Sequence, residues 1–547
     1  MSKIAQGTDR FVTEQQAYEK RWVMLGVLIT SVMVVSIDNT ILNVALPTIQ
    51  LNLHATQGQQ AWIVDAYLLV FAGLLLTLGS LGDRIGRRKV LSFGIGIFGF
   101  GSLISVFATN ANELIATRAL MGVGAAAIMP ATLAIITRVF EPHERGKAIG
   151  LWAGVLGLSV GIGPLVGGVL LEHYWWGSVF LVNVPVVVIA LLVIPFLVPE
   201  SKAVVAAKSD PIGVLLSVTG LSVFIYGVIK GGELATLMDA HVIAPLLAGA
   251  VILAQFVIYE LRRPEPMIDF KIFKIRAFSA ASLAISLIFF ALMGATFFLT
   301  FYLQFVRGMS PLATGAMLLP MAAGMVIFAP RSAGLVARFG TRWVSFSGMM
   351  LVGVSFLTYQ VIGVDTSMVA LGVLLFAMGT GMGTGMAPAT TAIMNALPLD
   401  RAGAGSAINN TTRQVGGALG VAILGSVLAG TYRSFVAPAL ASLPSAVRER
   451  AGESIGATLA AAHAAGPAGA SIVGPAKHAF VDAFHVASLG SAGMAFLGAL
   501  VVLKWFPTAV AHRARETSPA LPTQRVNADA YALESDGAPT LHLLAEI

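Results

Sequence analysis

Four charged residues lie inside long apolar runs of this chain. Asp38 is found in VVSIDNTILNVALP, Asp65 in WIVDAYLLV, Arg118 in ELIATRALMGVGAA and Arg413 in AINNTTRQVGGALG. Placing a charged side chain at the centre of a membrane costs several kcal/mol, so we expect each charged residue found there to have a function. Because desolvation disfavours the charged form of a carboxyl group, Asp38 or Asp65 could alternate between holding a proton and holding a cation.

Two other interpretations of these charges stay open. Arg118 could form a buried ion pair with one of the acids that serves only packing or helix register. An arginine beside a carboxylate also tunes its proton affinity, which would make Arg118 functional. Arg413 could equally lie near a helix end and extend its guanidinium to the membrane surface.

The surroundings of Asp65 suggest a site for a lipophilic cation. Trp62 and Asp65 are three residues apart and share one face of a helix, and Tyr67 follows closely. An aromatic wall beside a negative charge attracts a cation through both groups.

The composition requires that lipid surround most of the protein. The chain has 547 residues, of which 56% are hydrophobic and 11% charged, with a mean hydropathy of +0.83. Soluble proteins carry roughly a quarter charged residues. The chain has no cysteine, and its nine histidines show no metal-ligand spacing, so we expect no metal and no cofactor. The net charge of +7 comes from short clusters between apolar runs, which indicates membrane topology rather than nucleic-acid binding.

Apolar runs of about 20 residues predict fourteen membrane-spanning helices. They are centred near 22–46, 61–81, 89–108, 113–136, 147–170, 178–198, 211–230, 242–260, 278–306, 312–335, 343–363, 367–390, 403–429 and 484–506. Lys and Arg cluster in alternate connections, which predicts that this face and both termini are cytoplasmic. Residues 1–21 and 507–547 are polar tails, the second predicted to be disordered. Residues 430–483 form a long outer connection, in which Ser445–His463 could make a surface helix; a flap over the outer mouth and a neutral insertion are both open.

Two further patterns indicate moving parts. The inner loop LGSLGDRIGRRKVL, residues 78–91, has Gly86 at its tightest point, and Asp83 can pair with Arg87 or with a helix N-terminus across the inner face. AGLVARFGTRW at 333–343 is a degenerate copy with Ala337 in place of the acid, which implies an internal repeat of the transporter kind. GIGPLVGG at 161–168 predicts a kinked, closely packed helix, because Pro164 removes one helical hydrogen bond.

Taken together, these motifs make the sequence resemble the fourteen-span drug:proton antiporters of the major facilitator superfamily over residues 20–506. IDNTILNVALP at 37–47 is similar to the first-span signature, TRALMGVGAA to the fourth-span motif, and the stretches 301–320 and 404–420 are typical of this branch. The resemblance implies a proton-coupling role for Asp38 and Arg118. It also implies gate and hinge roles for the matching motif residues Gly79, Asp83, Arg84, Gly86, Arg87, Lys89, Gly163, Pro164, Gly167 and Gly168.

The resemblance implies two six-helix bundles, residues 22–198 and 278–506, with two inserted helices in 199–277. It implies export of amphipathic, often cationic, compounds against an inward flow of protons, by rocking of the two halves. Candidates for the substrate cavity are Asp65, Trp62, Tyr67, Phe298, Tyr302, Gln304, Asn409 and Asn410. Some family members that export divalent organic cations have acids in the thirteenth span, whereas the nearest polar residues here are Asn409 and Asn410, which argues against divalent substrates.

The rival functions are a dedicated exporter, a membrane-embedded enzyme or sensor, and a channel. The oligomeric state stays open, a monomer included. A dedicated exporter of one metabolite, antibiotic or lipid would use the same motifs. A membrane-embedded enzyme or sensor lacks support, because the sequence shows no catalytic cluster and no nucleotide-binding loop. A channel would not need a buried coupling acid.

Overall fold

A computed structural model describes residues 14–202, 210–234, 236, 238–264, 266, 270–395 and 402–506, and long α-helices dominate this part of the chain. The long helices are α1 Arg21–Leu53, α2 Gln57–Ile85, α3 Arg87–Ser105, α4 Ala111–Val139, α5 Pro142–His173, α6 Asn183–Leu197, α7 Pro211–Leu234, α8 Ala240–Arg262, α9 Arg276–Phe301, α10 Leu319–Leu357, α11 Met368–Asn395, α12 Ala402–Val436 and α13 Ala470–Trp505. Short α-helices cover Glu14–Glu19, Ser178–Leu181, Pro311–Met317, Ser445–Ala451 and Ile455–Ala464. Single turns cover Phe270–Lys274, Tyr302–Val306, Thr358–Val361, Ala437–Leu440 and Gly466–Gly469.

Eleven helical segments of the described residues are long and apolar enough to cross a membrane. One of them, Pro311–Val361, is 51 residues long and contains α10, whose path is broken at Gly340 by a non-helical backbone with φ 81° and ψ 155°. Helices α3 and α5, of 19 and 32 residues, lie outside this group of eleven. The structure confirms an all-helical, multi-pass membrane protein, and the number fourteen stays a prediction.

The two inner loops that the sequence relates share a backbone feature. Gly86, between α2 and α3, has φ 129°, and Gly340 has φ 81°. Positive φ is a region that side chains other than glycine rarely adopt. Both copies of the loop motif therefore have a glycine at a break between two helical segments.

Local sequence signals begin several helices. Thr56 and Gln59 form a reciprocal capping box at the start of α2, and the side chain of Asn110 accepts the backbone N–H of Glu113 at the start of α4. Pro142 occupies the first turn of α5, where the absent N–H is not needed.

Contacts link an early group of helices, α1–α6, and a late group, α9–α13, both within each group and across the two. Within these groups α1 packs against α5, α2 against α4, α9 against α12 and α13, and the two arms of α10 against α11. The groups meet where α2 lies against α12 and where α5 lies against α10 and the short helix before it. Helix α7 contacts both α2 and α12, whereas α8 packs mainly on α7.

The connection between α12 and α13 is shorter than the sequence suggests. It covers 437–469, not 430–483, because both flanking helices continue beyond their most apolar segments. The sequence predicts one helix in this connection, but the structure has two, which are interrupted at Gly452. Ser454 caps the second. The side-chain amide of Gln50, at the end of α1, donates a hydrogen bond to the hydroxyl of Ser454. This connection therefore touches the early group of helices.

Candidate functional site

Asp38 and Arg118 form a buried ion pair between α1 and α4. Nη1 of Arg118 lies 2.5 Å from Oδ2 of Asp38, and the side chains of Arg118 and Asp38 are 0% and 2% exposed. The Nε–H of Arg118 donates to the carbonyl of Ile63 at 3.3 Å, and its guanidinium carbon lies 4.4 Å from the ring centre of Tyr67. The pairing foreseen as one alternative for Arg118 is present, and its partner is Asp38.

Asn183 completes this site, and the sequence reasoning missed it. Its side-chain amide donates to Oδ1 of Asp38 at 3.1 Å and to the hydroxyl of Ser102 at 3.0 Å, while that hydroxyl donates to the carbonyl of Phe180 at 2.7 Å. Asp38 therefore receives a donor on each oxygen, from Arg118 on one and from Asn183 on the other. The signal available in the sequence was an amide in the apolar stretch SVFLVNVPVVV.

Asp65 has a very different environment on α2. It is fully buried, and neither carboxyl oxygen receives a hydrogen bond from the described residues. Ionising a carboxyl group in such a place without a partner is expensive, so this enclosure favours the neutral acid. Trp62, one turn earlier, is partly buried, and the buried Tyr67 lies against Arg118.

Charged side chains of the inner loop after α2 pair with each other and with the neighbouring helix. Nη2 of Arg87 lies 2.8 Å from Oδ1 of Asp83, and Nη1 of Arg87 donates to the carbonyl of Ala134 in α4 at 3.2 Å. The sequence allowed two partners for Asp83, Arg87 or a helix N-terminus, and in the structure Asp83 pairs with Arg87. The backbone N–H of Arg87 donates to the carbonyl of Ser201, which ties the loop to the segment after α6.

Glu200 is a second residue of this loop site that the sequence reasoning did not find. Its carboxylate accepts the backbone N–H of Arg88 at 3.2 Å, and a Cβ on Gly86 would lie 2.5 Å from it. The positive φ of Gly86 favours glycine at this position, because a side chain would strain the backbone there. Arg84 and Lys89 are exposed, and the Cβ position of Gly79 lies 3.3 Å from Pro130 of α4.

The glycines of GIGPLVGG allow α5 to touch two neighbours at once. A Cβ on Gly163 would overlap the hydroxyl of Thr40 in α1, which itself donates to the carbonyl of Ser159 at 2.9 Å. A Cβ on Gly168 would lie 2.7 Å from Cα of Leu312 in the late group. The remaining motif residues, Pro164 and Gly167, lie against Gly315 and Ile41.

Phe298 and Tyr302 pack together in an aromatic cluster of the late helices. The rings of Phe298, Tyr302 and Tyr359 lie 5.1, 5.5 and 5.1 Å from the ring of Phe484 in α13. The hydroxyl of Tyr302 donates to the carbonyl of Gly363 at 2.8 Å. Both residues are fully buried, so contact with a substrate would require this cluster to open.

The other candidates of the late half lie in separate places. Gln304 donates to the carbonyl of Val44 in α1 at 2.8 Å and so joins the two groups of helices. Asn409 is buried with its side-chain oxygen unpartnered among the described residues, and Asn410 is partly buried. The guanidinium of Arg413 lies 4.3 Å from the ring centre of Phe289.

The structure has the features of a secondary transporter of the membrane. These are a buried ion pair between apolar helices, two related loops that each contain a glycine, and two groups of helices in contact. Residues 28–421 match the family model of the Major Facilitator Superfamily. The methyl viologen resistance protein SmvA of Salmonella typhimurium is 34% identical over 90% of this chain and 99% of its own length. The multidrug efflux pump LfrA of Mycolicibacterium smegmatis is 36% identical over 76% of this chain and 82% of its own.

The fold has a relative among solved structures. An inward-facing, unoccupied bacterial homologue of the human lysosomal transporter Spinster superposes with a TM-score of 0.62 at 16% identity, covering 89% of this chain and 99% of that one. The chain belongs to the Major Facilitator Superfamily. Its resemblance to the drug-exporting branch is confirmed, because the relatives that match most of the chain are named for resistance and efflux.

Proposed function

We propose that this protein is a multidrug exporter that carries amphipathic, cationic compounds across the cytoplasmic membrane in exchange for protons. The relatives' names support drug efflux. The observation that carries the proton exchange is the ion pair of Asp38 and Arg118, sealed from water inside the early group of helices.

Protonation of Asp38 would couple proton entry to release of a cation. The ion pair is neutral as it stands, and one added proton makes the site positive. A positive site repels a cationic substrate, and a bound cation conversely favours loss of the proton, which is the difference in affinity between states that coupling needs. The driving force is about 1.4 kcal/mol per pH unit and about 2.3 kcal/mol per charge for each 100 mV.

Asp65 would provide the charge that recognises the cation. In the enclosed state it favours the neutral acid. Once the halves open and water reaches α2, ionisation becomes favourable and the carboxylate, with Trp62 beside it, can hold a lipophilic cation. The further cavity candidates are Tyr67, Phe298, Tyr302, Gln304, Asn409 and Asn410.

The proposed architecture has fourteen spans. Separating the 51-residue segment at Gly340 into two and adding α3 and α5 to the other ten gives this number. We assign α1–α6 to one bundle, α9–α13 to the other, and α7 and α8 to the insertion. The clustered Lys and Arg of alternate connections support a cytoplasmic location for both termini. The Asp83–Arg87 loop and the α5 glycines would serve as gate and hinge.

A dedicated exporter is the second candidate, because one close relative, SmvA, is named for a single compound. Resistance profiles of cells that express the protein separate the two: several unrelated cations favour the multidrug exporter, and one compound favours the alternative.

Substrate-induced proton release from the purified protein tests the coupling. The wild-type protein should release protons when a lipophilic cation such as ethidium is added, and Asp38→Asn should not. Asp365→Asn, which changes a fully exposed carboxylate, is the matched control and should behave as wild type. Normal proton release by folded Asp38→Asn would overturn the assignment.

A further inference from the structure

Arg413 is a charged residue inside a membrane-spanning helix, and the proposed function gives it no part. It lies in α12 about 16 Å beyond the first residue, Ala402, at about 1.5 Å per residue. Arg118, the other arginine of this kind, is neutralised by Asp38. The described residues provide no carboxylate partner for Arg413, and its Nε has no hydrogen-bond partner among them. Because an uncompensated charge is costly at this depth, Arg413 is a candidate binding site for a negative group.

The ring of Phe289 in α9 covers one face of the Arg413 guanidinium. The guanidinium carbon lies 4.3 Å from the ring centre. Stacking on an aromatic ring uses the flat face of a guanidinium and leaves the N–H groups in its plane available as donors. Although Nε is buried, Arg413 as a whole is only partly buried, so part of its side chain is accessible. The geometry therefore leaves an edge of two N–H groups that matches the two oxygens of a carboxylate.

Asn409 adds a second polar group to this face of α12. It precedes Arg413 by four residues, so the two side chains lie on the same side of the helix. Asn409 is 5% exposed, and its side-chain oxygen has no partner among the described residues. Because rotation about the last side-chain bond exchanges the oxygen and the NH2 group of an amide, Asn409 can offer either an acceptor or two donors to a ligand. A carboxylate held by Arg413 would thus have a second donor nearby.

Helices α2 and α12 are antiparallel where the early and late groups meet. The hydroxyl of Thr411 donates to the carbonyl of Ala72 at 3.4 Å, and a Cβ on Gly417 would lie 3.8 Å from the side chain of Leu68. The residue numbers rise along α12 while they fall along α2. This register relates the position of any residue on α12 to one on α2.

Asp65 and Arg413 lie on opposite sides of this contact. Asp65 precedes Leu68 by three residues and Arg413 precedes Gly417 by four, which separates them by about 10 Å along the helix axes. An amphipathic compound with a cationic group at one end and a carboxylate at the other can engage both side chains across such a distance. A simple cation would engage Asp65 alone.

We propose that Arg413 binds the carboxylate of zwitterionic substrates, with Phe289 holding the guanidinium and Asn409 supplying a further donor. The inference rests on the proposed function, because it adds a substrate class to the exporter whose cationic group Asp65 recognises. The carboxylate provides the counterion that the described residues do not give to Arg413. Amphipathic compounds that carry both charges are therefore substrates in addition to simple cations.

Rhodamine 110 and rhodamine 123 are a matched pair of fluorescent probes for this site. The first has a carboxylate beside its cationic ring system, and the second is its methyl ester, a cation of nearly the same size. Fluorescence anisotropy measures their binding to the purified full-length protein at neutral pH without a proton gradient. The wild-type protein should bind rhodamine 110 at least as tightly as rhodamine 123. Arg413→Gln should weaken rhodamine 110 by about tenfold or more, as expected for a hydrogen-bonded charge, and change rhodamine 123 by less than about twofold.

Two further variants control this comparison. Arg331→Gln changes an exposed arginine of α10 that donates to the carbonyl of Ile327 in its own helix, and it should bind both dyes as the wild-type protein does. Arg413→Lys keeps the charge without the flat edge of two donors, so its affinity for rhodamine 110 should lie between those of wild type and Arg413→Gln. Retained binding of rhodamine 123 shows that each variant is folded.

Two results would overturn the proposal: a wild-type protein that binds rhodamine 123 far more tightly than rhodamine 110, or an Arg413→Gln protein in which both dyes are affected equally. The proposed function is tested separately, by exchange of rhodamine 123 for protons. If that exchange occurs while either of the two results is found, the exporter stands and the carboxylate site does not. Binding of neither dye would contradict both.

Discussion

Asn183 donates a hydrogen bond of 3.1 Å to the carboxylate of Asp38, across the contact between α6 and α1. The same amide bonds Ser102 of α3, so one side chain fixes the orientation of the acid with respect to two further helices. A carboxylate that is held on both oxygens has one defined position toward Arg118 before a proton or a substrate arrives. This arrangement makes Asn183 a positioning residue of the proposed coupling site.

Replacing Asn183 by alanine should lower both stability and efflux. The change leaves a buried carboxylate oxygen and a buried hydroxyl with fewer partners, which costs about 1–3 kcal/mol. Thermal unfolding in detergent should show a lower midpoint. Asn52→Ala is the control, because that exposed amide bonds the carbonyl of Thr48 in its own helix, and it should leave the midpoint unchanged.

The two buried aspartates should respond oppositely to conversion to asparagine. Asp38→Asn leaves the buried guanidinium of Arg118 without a counterion, and breaking a buried pair in this way costs about 3–5 kcal/mol. Asp65→Asn imitates a neutral acid and should preserve the unfolding temperature. Its efflux of cationic compounds should fall more than its efflux of neutral ones.

The double variant Asp38→Asn with Arg118→Gln separates stability from coupling. It removes both charges and should recover much of the lost stability while remaining unable to release protons.

If Asp65→Asn were as destabilised as Asp38→Asn, the assignment of the neutral form to Asp65 would be wrong.

Gly163→Ala should weaken the contact between α5 and α1. The new methyl group would overlap the hydroxyl of Thr40, and overpacking of this kind costs about 1–3 kcal/mol. Gly26→Ala adds the same group on α1 where no atom lies within 4 Å. Thermal unfolding should therefore separate the variants, and equal midpoints would show that α5 does not need its glycine here.

The start of α8 should become less stable in acid. Asp239 caps this helix by accepting the backbone N–H of His241 at 2.7 Å, and that hydrogen bond, together with the one to the His241 ring, holds the pKa of Asp239 below its ordinary value of 3.8. A lowered pKa means that the stabilisation is complete above 3.8 and is lost as the pH falls through the lower value. In that pH range, the amides of the first turn of α8 should show a larger increase in hydrogen-exchange rate in the wild-type protein than in Asp239→Asn. No difference between them would contradict this role of the carboxylate.

A short cross-link between cysteines at positions 50 and 454 should block transport reversibly. The side chains of Gln50 and Ser454 are hydrogen-bonded, and the chain contains no other cysteine that could compete. Treatment of the variant Gln50→Cys with Ser454→Cys with a short bifunctional methanethiosulfonate reagent should arrest efflux if the halves rock, and reduction should restore it. Each single cysteine variant should transport under both conditions. Full efflux by the cross-linked protein would contradict movement at this contact.

The sequence predicted those features that depend on local pattern. Apolar run length and clustered basic residues predicted the membrane helices, and the glycine of each inner loop predicted a reversal that positive φ at Gly86 and Gly340 confirms. The pairing of Asp38 with Arg118 was foreseen as an alternative, because few charges in the spans could compensate each other. The sequence therefore allowed only a small number of pairings among the charged residues of the spans.

The features that the sequence did not predict depend on distant contacts. Asn183 and Glu200 are single polar residues without any telling spacing, and their role appears only when α6 lies beside α1 and the segment after it lies beside the first inner loop. The aromatic cluster around Phe484 likewise joins residues far apart in the chain, so sequence alone could not distinguish packing from cavity lining for Phe298 and Tyr302.

Uphill transport in proteoliposomes tests the proposed proton exchange most directly. With an imposed pH difference, the wild-type protein should accumulate a labelled lipophilic cation against its gradient, and collapse of that difference by a protonophore should release it. Folded Asp38→Asn should only equilibrate the label. Equal rates of wild-type transport with and without the pH difference, and no accumulation, would contradict proton-coupled export.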